Sequence, residues 1–297
     1  MIIDFHTHLG DILYPGGGRV VYQDIKMPCG ADPDGINRAL CYNNGFIEKA
    51  ICSIPLLKAC MMRAERARNF AATYRNLKNE MKKYGVTKAC VMPVAPNVAF
   101  EDLVPVSRDD SIIPFGSIDF SKGNEGGQVL EQLKSGAKGF KLHPILQKAD
   151  PAGEPVHRFL DACPAGTVIL IHSGYAGYYF GQELLRQSAE FGDIEPIINL
   201  CAEYGRLKFV LGHAGLSQAG DVLRLAPRYD NVFVDTSFQG PDRIRELVNA
   251  LGCERVLFAS DWPWGFVKTA LRCAERGCGN PREYERITGL NAAGLLS

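Results

Sequence analysis

Short apolar runs alternate with longer amphipathic stretches along this chain. The runs are IIDF (2–5), TKACVMPV (87–94), SIIPFGSID (111–119), AKGFKLH (137–143), TVILIH (167–172), RLKFVLGH (206–213), NVFVDTS (231–237) and RVLFASD (255–261), eight in all. β-branched residues are frequent in them, and Gly, Pro or polar residues bound most of them, as strands buried on both faces require. The stretches between carry helical periodicity, among them AERARNFAATYRNLKNEMKKYG (64–85), EGGQVLEQLKSG (125–136) and DRIRELVNALG (242–252). Several end in Gly, the usual left-handed C-cap residue.

Strand–helix alternation implies parallel strands with helical crossovers. Eight such units predict an α/β fold, a (β/α)8 TIM barrel, as one domain over residues 1–297 with a long insertion after the first strand. An open doubly wound sheet is the alternative, but the glycine-rich turn it would carry after its first strand is absent. The insertion, residues 9–58, opens with GDILYPGGGRVVYQDIKMPCGADPDG. Its GGG is not a phosphate loop, because no Gly-Lys-Ser/Thr follows. An insertion after a barrel strand lies on the catalytic face, so this one reads as a lid or a wall of the substrate pocket, or else as an excursion with neither role.

Composition narrows the partners. Lys plus Arg is 33 and Asp plus Glu is 33, so no net field favours nucleic acid. The opening MIIDFHTH is neither a signal peptide nor an anchor, and no apolar stretch reaches the length of a membrane span. The expectation is a soluble, cytoplasmic enzyme of a small-molecule substrate. The ten cysteines then read as thiols, with Cys90, Cys163, Cys201 and Cys253 as small core residues.

The candidate chemistry sits at strand ends. His6 and His8 alternate on the first strand and so share a face, toward the barrel mouth. His172 follows TVILI, His213 follows KFVLG, Asp261 follows VLFAS, and His143 ends the fourth predicted strand. Each lies where a barrel strand delivers its side chain to the catalytic face. Only His157, of six histidines, falls in a helical pattern. Neutral imidazoles with a carboxylate suit zinc, and also manganese, iron or cobalt. The Trp pair in DWPWG after Asp261 reads as a pocket wall or as packing. Arg19 and Arg38 read as a carboxylate clamp or as solvated surface residues.

DFHTH at 4–8, GFKLHP at 139–144, IHSG at 171–174, GHAG at 212–215, ASDWP at 259–263 and NAAGLL at 291–296 together resemble the amidohydrolase superfamily. The similarity is to its amidohydrolase-related branch of aminocarboxymuconate-semialdehyde decarboxylase-like enzymes. The resemblance implies that His6, His8, His172 and Asp261 hold a divalent metal, most simply one zinc ion per chain, with a second metal an open alternative. It makes His213 and Asp261 the catalytic residues. Lys141 and His143 become candidate substrate-binding residues, although Lys141 also reads as a carboxylated metal bridge or a structural ion-pair partner. The function implied is hydrolysis of a small amide, lactone or ester through a metal-activated water, with Asp261 as base and His213 polarising the carbonyl. Two alternatives stand beside it: non-oxidative decarboxylation of a small aromatic or unsaturated acid, and a non-catalytic metal-binding barrel.

Overall fold

The computed structural model describes residues 1–28 and 54–297. The strands are β1 (Ile3–Thr7), β2 (Lys88–Val91), β3 (Ile112–Pro114), β4 (Gly116–Ser117), β5 (Phe140–Leu142), β6 (Val168–His172), β7 (Lys208–Gly212), β8 (Val232–Asp235) and β9 (Val256–Leu257). All pair in parallel, in the orders β1-β2-β3 and β4-β5-β6-β7-β8-β9. β3 and β4 are two halves of one barrel strand: Phe115 bonds back to Val91 and Gly116 bonds on to Gly139. The ring closes between its first and last strands, where Phe5 N–H donates to Phe258 O at 3.0 Å and Asp261 N–H to His6 O at 2.8 Å. The result is the (β/α)8 barrel expected from the alternation.

Alternation along the strands sorts side chains into two cores. Val168, Leu170 and Val210 join Phe5, Cys90 and Phe115 in one cluster made by the strands and the C-terminal segment. Ile169, Ile171, Phe209 and Leu211 face outward to residues of the surrounding helices, such as Leu160, Ile197 and Leu247. His172 follows the inward pair Val168 and Leu170 at the same period of two, which delivers it to the mouth. β1 departs from this rule. Its ladder with β2 shifts between Asp4 and Thr7, so Phe5 fills the interior and His6 still reaches the centre. A bulge of this kind re-aims a side chain.

The helical pattern at 64–85 is two helices, α1 (Pro55–Phe70) and α2 (Tyr74–Tyr84). The break falls at Thr73, whose side chain caps α2 by accepting from Asn76 N–H at 3.2 Å. After β4 come α3 (Glu125–Lys134), α4 (Pro144–Gln147), α5 (Glu154–Ala162), α6 (Ile194–Glu203), α7 (Ala219–Leu225), α8 (Pro241–Leu251) and α9 (Val267–Gly277). Among the described residues no helix is long and apolar enough to cross a membrane.

The start of the insertion is packed. Leu9, Ile12, Leu13, Val20 and Val21 are buried, and residues Gly17–Tyr22 form a 3-10 turn. A Cβ on Gly17 would fall 1.8 Å from the carbonyl oxygen of Asp11, and one on Gly18 1.9 Å from Oδ2 of Asp102. These glycines permit a close approach of backbones. Residues 29–53, on which most of the expected lid falls, lie outside the described residues, as does Arg38. Cys90, Cys163 and Cys201 are buried as expected, whereas Cys253 is only half-buried.

Candidate metal centre

His6, His8 and Asp261 come together at the mouth of the barrel. Nε2 of His6 lies 3.4 Å, and Nε2 of His8 3.2 Å, from Oδ1 of Asp261. All three are buried, and their ligand atoms lie within 4.8 Å of one another. The protons on the rings follow from their other nitrogens. His8 Nδ1 sits 2.7 Å from the carbonyl of Met92, which only accepts. His6 Nδ1 sits 2.8 Å from Oδ2 of Asp235. With these partners a neutral ring donates through Nδ1 and turns a lone pair on Nε2 toward Asp261. Burial pushes the His6 pKa well below its ordinary value, so this ring is neutral.

The third member is orphaned. Asp261 Oδ1 is buried and has no hydrogen-bond donor. Two lone pairs and an unpartnered carboxylate oxygen facing one another at 3.2–3.4 Å make a cluster of acceptors suited to a cation. Zinc–nitrogen bonds of about 2.0–2.1 Å put neighbouring ligand atoms roughly 3.0–3.4 Å apart, so the cluster fits a bound metal ion. Asp261 is also held in the left-handed region at φ 55°, its carbonyl accepting from the N–H groups of Trp264 and Gly265. Strain at a non-glycine residue is retained where surrounding bonds over-determine it.

Lys141 enters the same space. Fully buried in the middle of β5, its Nζ donates to the His6 Nε2 lone pair at 2.9 Å. Burial lowers its pKa, and Asp261 and Asp235 oppose that shift. A buried ammonium thus occupies part of the position a metal ion would claim.

His172 is one step removed from the three. Its Nε2 lies 3.2 Å from Gly174 O, and its Nδ1 lies 3.1 Å from Nε2 of His213. His213, at φ 61°, stacks on His6 with ring centroids 5.0 Å apart. His143 stacks on His172 at 4.2 Å and 8°. Its Nε2 lies 3.2 Å from the Tyr178 hydroxyl, and its Nδ1 accepts from Leu146 N–H. Burial pushes the pKa values of His143, His172 and His213 well down, so these rings too are neutral. Aromatic rings enclose the group: Tyr178 meets His143 at 5.5 Å and Trp264 at 6.0 Å edge-on, and Phe238 lies 5.1 Å from His213. Trp264 therefore belongs to this wall. Arg19 is exposed, and His157 bonds to the Tyr204 hydroxyl on the barrel's outer side.

Sequence reasoning missed Asp235 and Ser237, which sit behind the imidazoles. Asp235 lies at the end of β8, and Ser237 is two residues on. The strand-end position marked His172 and Asp261, and the same mark in NVFVDTS picks out Asp235. Asp4 bonds away from the metal-fitting cluster. Its carboxylate accepts from Ser260 N–H at 2.9 Å and Ser260 Oγ–H at 2.5 Å, tying β1 to the segment that carries Asp261. Burial raises the Asp4 pKa to about 7.

The family model described as amidohydrolase matches residues 3–297. No curated protein matches the sequence. Solved structures share the fold at low identity. The 5-carboxyvanillate decarboxylase of Sphingomonas paucimobilis is 16% identical, with 99% of this chain and 98% of that one covered and a TM-score of 0.62. A dihydroxybenzoic acid decarboxylase of Polaromonas sp. JS666, which holds manganese and 2-nitroresorcinol, is 13% identical over 99% and 96%, with a TM-score of 0.63. A probable 2-pyrone-4,6-dicarboxylic acid hydrolase of Acinetobacter baumannii is 11% identical over 99% and 98%, with a TM-score of 0.58.

Proposed function

The chain belongs to the amidohydrolase family, and from that premise we propose that it is a divalent-metal-dependent decarboxylase of a small planar carboxylic acid. The observation that carries this reading is the aromatic wall beside the acceptor cluster. Tyr178, backed by Trp264, flanks the stacked pair of His143 and His172, and Phe238 flanks His213, whose ring stacks on His6 of the buried group His6, His8 and Asp261. Flat rings beside a charged anchor suit a flat, unsaturated acid better than a flexible chain. Decarboxylases of carboxyvanillate and dihydroxybenzoate share the fold, which supports the same class of substrate here.

His6, His8, His172 and Asp261 would hold one ion per chain. Three imidazoles and a carboxylate suit zinc, and they suit manganese, which the Polaromonas decarboxylase holds. When bound, a divalent ion supplies Lewis acidity and a fixed positive charge beside the substrate's oxygens. Lys141, whose Nζ bonds to His6 Nε2, would yield that lone pair to the ion and pair with a substrate carboxylate. The aromatic wall offers flat faces against which the ring of such an acid would pack. When carbon dioxide leaves, its bonding electrons stay on carbon, which must take up a proton. His213 is the residue to carry that proton, because its Nε2 lone pair faces inward while Ser237 fixes its Nδ1 at 2.7 Å.

One observation favours hydrolysis as a second reading. Asp261 Oδ1 has no donor and is available to take a proton from water, as a lactone or amide hydrolase needs. The Acinetobacter pyrone hydrolase shares the fold. Hydroxybenzoic acids and small lactones, offered to protein loaded with zinc or manganese, separate the two. Carbon dioxide release with uptake of one solvent proton on carbon supports decarboxylation. Oxygen-18 incorporation from water into a ring-opened or cleaved product overturns it in favour of hydrolysis.

A further inference from the structure

We propose that Asp235 is a positioning residue that sets the tautomers of His6 and His213 together, so that a single carboxylate arms both the metal-binding and the proton-carrying imidazole. This rests on the metal-centre reading above. Asp235 is fully buried at the end of β8 and accepts four hydrogen bonds. Its Oδ2 takes the His6 Nδ1 proton at 2.8 Å. Its Oδ1 takes the backbone N–H of His213 at 2.8 Å, the backbone N–H of Ser237 at 3.0 Å and the Ser237 hydroxyl at 2.5 Å. Because the hydroxyl proton of Ser237 is committed to Asp235, Ser237 Oγ accepts from His213 Nδ1 at 2.7 Å. The carboxylate thus fixes the proton on Nδ1 in both rings, directly in His6 and through Ser237 in His213.

The consequence is that both Nε2 atoms are bare. His6 Nε2 faces Asp261 and Lys141, and His213 Nε2 faces His172. The two rings lie stacked, 28° from parallel, on the same anchor, so their orientations are set together. A carboxylate serves here because it only accepts, three of the four bonds falling on Oδ1 and one on Oδ2. An amide in its place has one accepting end. Turned to the three donors on the Oδ1 side, it presents its NH2 to His6 Nδ1. That nitrogen must then accept, and the proton moves to Nε2, the atom that would bind metal. Partners behind metal-binding histidines act in this way generally.

Asp235→Asn tests the assignment by two readouts besides activity. In metal-free protein with nitrogen-15-labelled histidine, wild type should show His6 and His213 as Nδ1–H tautomers, and Asp235→Asn should convert His6 to Nε2–H. Titration with zinc alone should show affinity roughly 10–100-fold weaker in that variant. Ser237→Ala should split the two arms, keeping metal affinity and the His6 tautomer while His213 loses its single tautomer. Wild-type affinity together with an unchanged His6 tautomer in Asp235→Asn overturns the proposal. If that variant does not fold, an Nε2–H tautomer for His6 or His213 in wild type overturns it alone. Wild type that binds no metal while showing both Nδ1–H tautomers sinks the metal-centre reading and leaves the tautomer assignment standing.

Discussion

Nε2 of His213 faces Nδ1 of His172 across 3.1 Å, and in the neutral rings both atoms carry lone pairs. His213 has its proton on Nδ1, toward Ser237, and His172 has its proton on Nε2, toward the carbonyl of Gly174. Two buried acceptors at hydrogen-bond distance repel unless a cation or a proton lies between or beside them.

The roles proposed for these two residues can be told apart by substitution. If His172 is a ligand, as proposed, His172→Ala should weaken zinc or manganese binding by at least about tenfold. His213→Asn should keep the metal and lower turnover by about a hundredfold or more. Elemental analysis and steady-state kinetics on both variants check the pair. Metal lost from His213→Asn and retained in His172→Ala would exchange the assignments.

Lys141 gives a sharper distinction between one-metal and bridged centres. Its ammonium competes for the His6 Nε2 lone pair at 2.9 Å. Lys141→Met keeps the buried chain and removes the charge. Metal affinity should then rise by about tenfold or more, because a like charge beside the ion is gone, while turnover falls. Calorimetric titration with zinc measures the change. A loss of metal stoichiometry in this variant would show that Lys141 itself carries a ligand, as a carboxylated lysine does.

The strand ends were legible because barrel strands are local apolar runs. TVILIH, RLKFVLGH and NVFVDTS contain β6, β7 and β8, and the chemical residues follow directly. The hub behind them was not legible, because the bond from His6 to Asp235 joins residues 229 apart in the chain. Local periodicity carries no record of such a contact. It also hid the bulge in β1, which depends on register against β2, and the break between α1 and α2 at Thr73. SIIPFGSID reads as one run, yet pairing splits at Phe115, where the chain passes from one neighbour to the next.

The glycine run reads as a loop in sequence but acts as a packed wedge. Gly17→Ala places a Cβ against the Asp11 carbonyl, and the expected cost is about 1–3 kcal/mol of stability. Gly205→Ala, where no atom lies within 4 Å of the added carbon, is the control and should leave the melting temperature in place. Thermal melts of both variants by circular dichroism test this. Equal melting temperatures would show that the backbone at Gly17 yields without cost.

The most direct measurement is the metal content of wild type beside that of a His6→Ala, His8→Ala double variant, each purified with zinc and dialysed. His6 Nε2, His8 Nε2 and the unpartnered Asp261 Oδ1 form the cluster that could hold the ion. Wild type should hold about one tightly bound divalent ion per chain, as such a ligand set does, and the folded double variant should hold none. Undiminished metal in the double variant, or none in wild type, would contradict the centre described here.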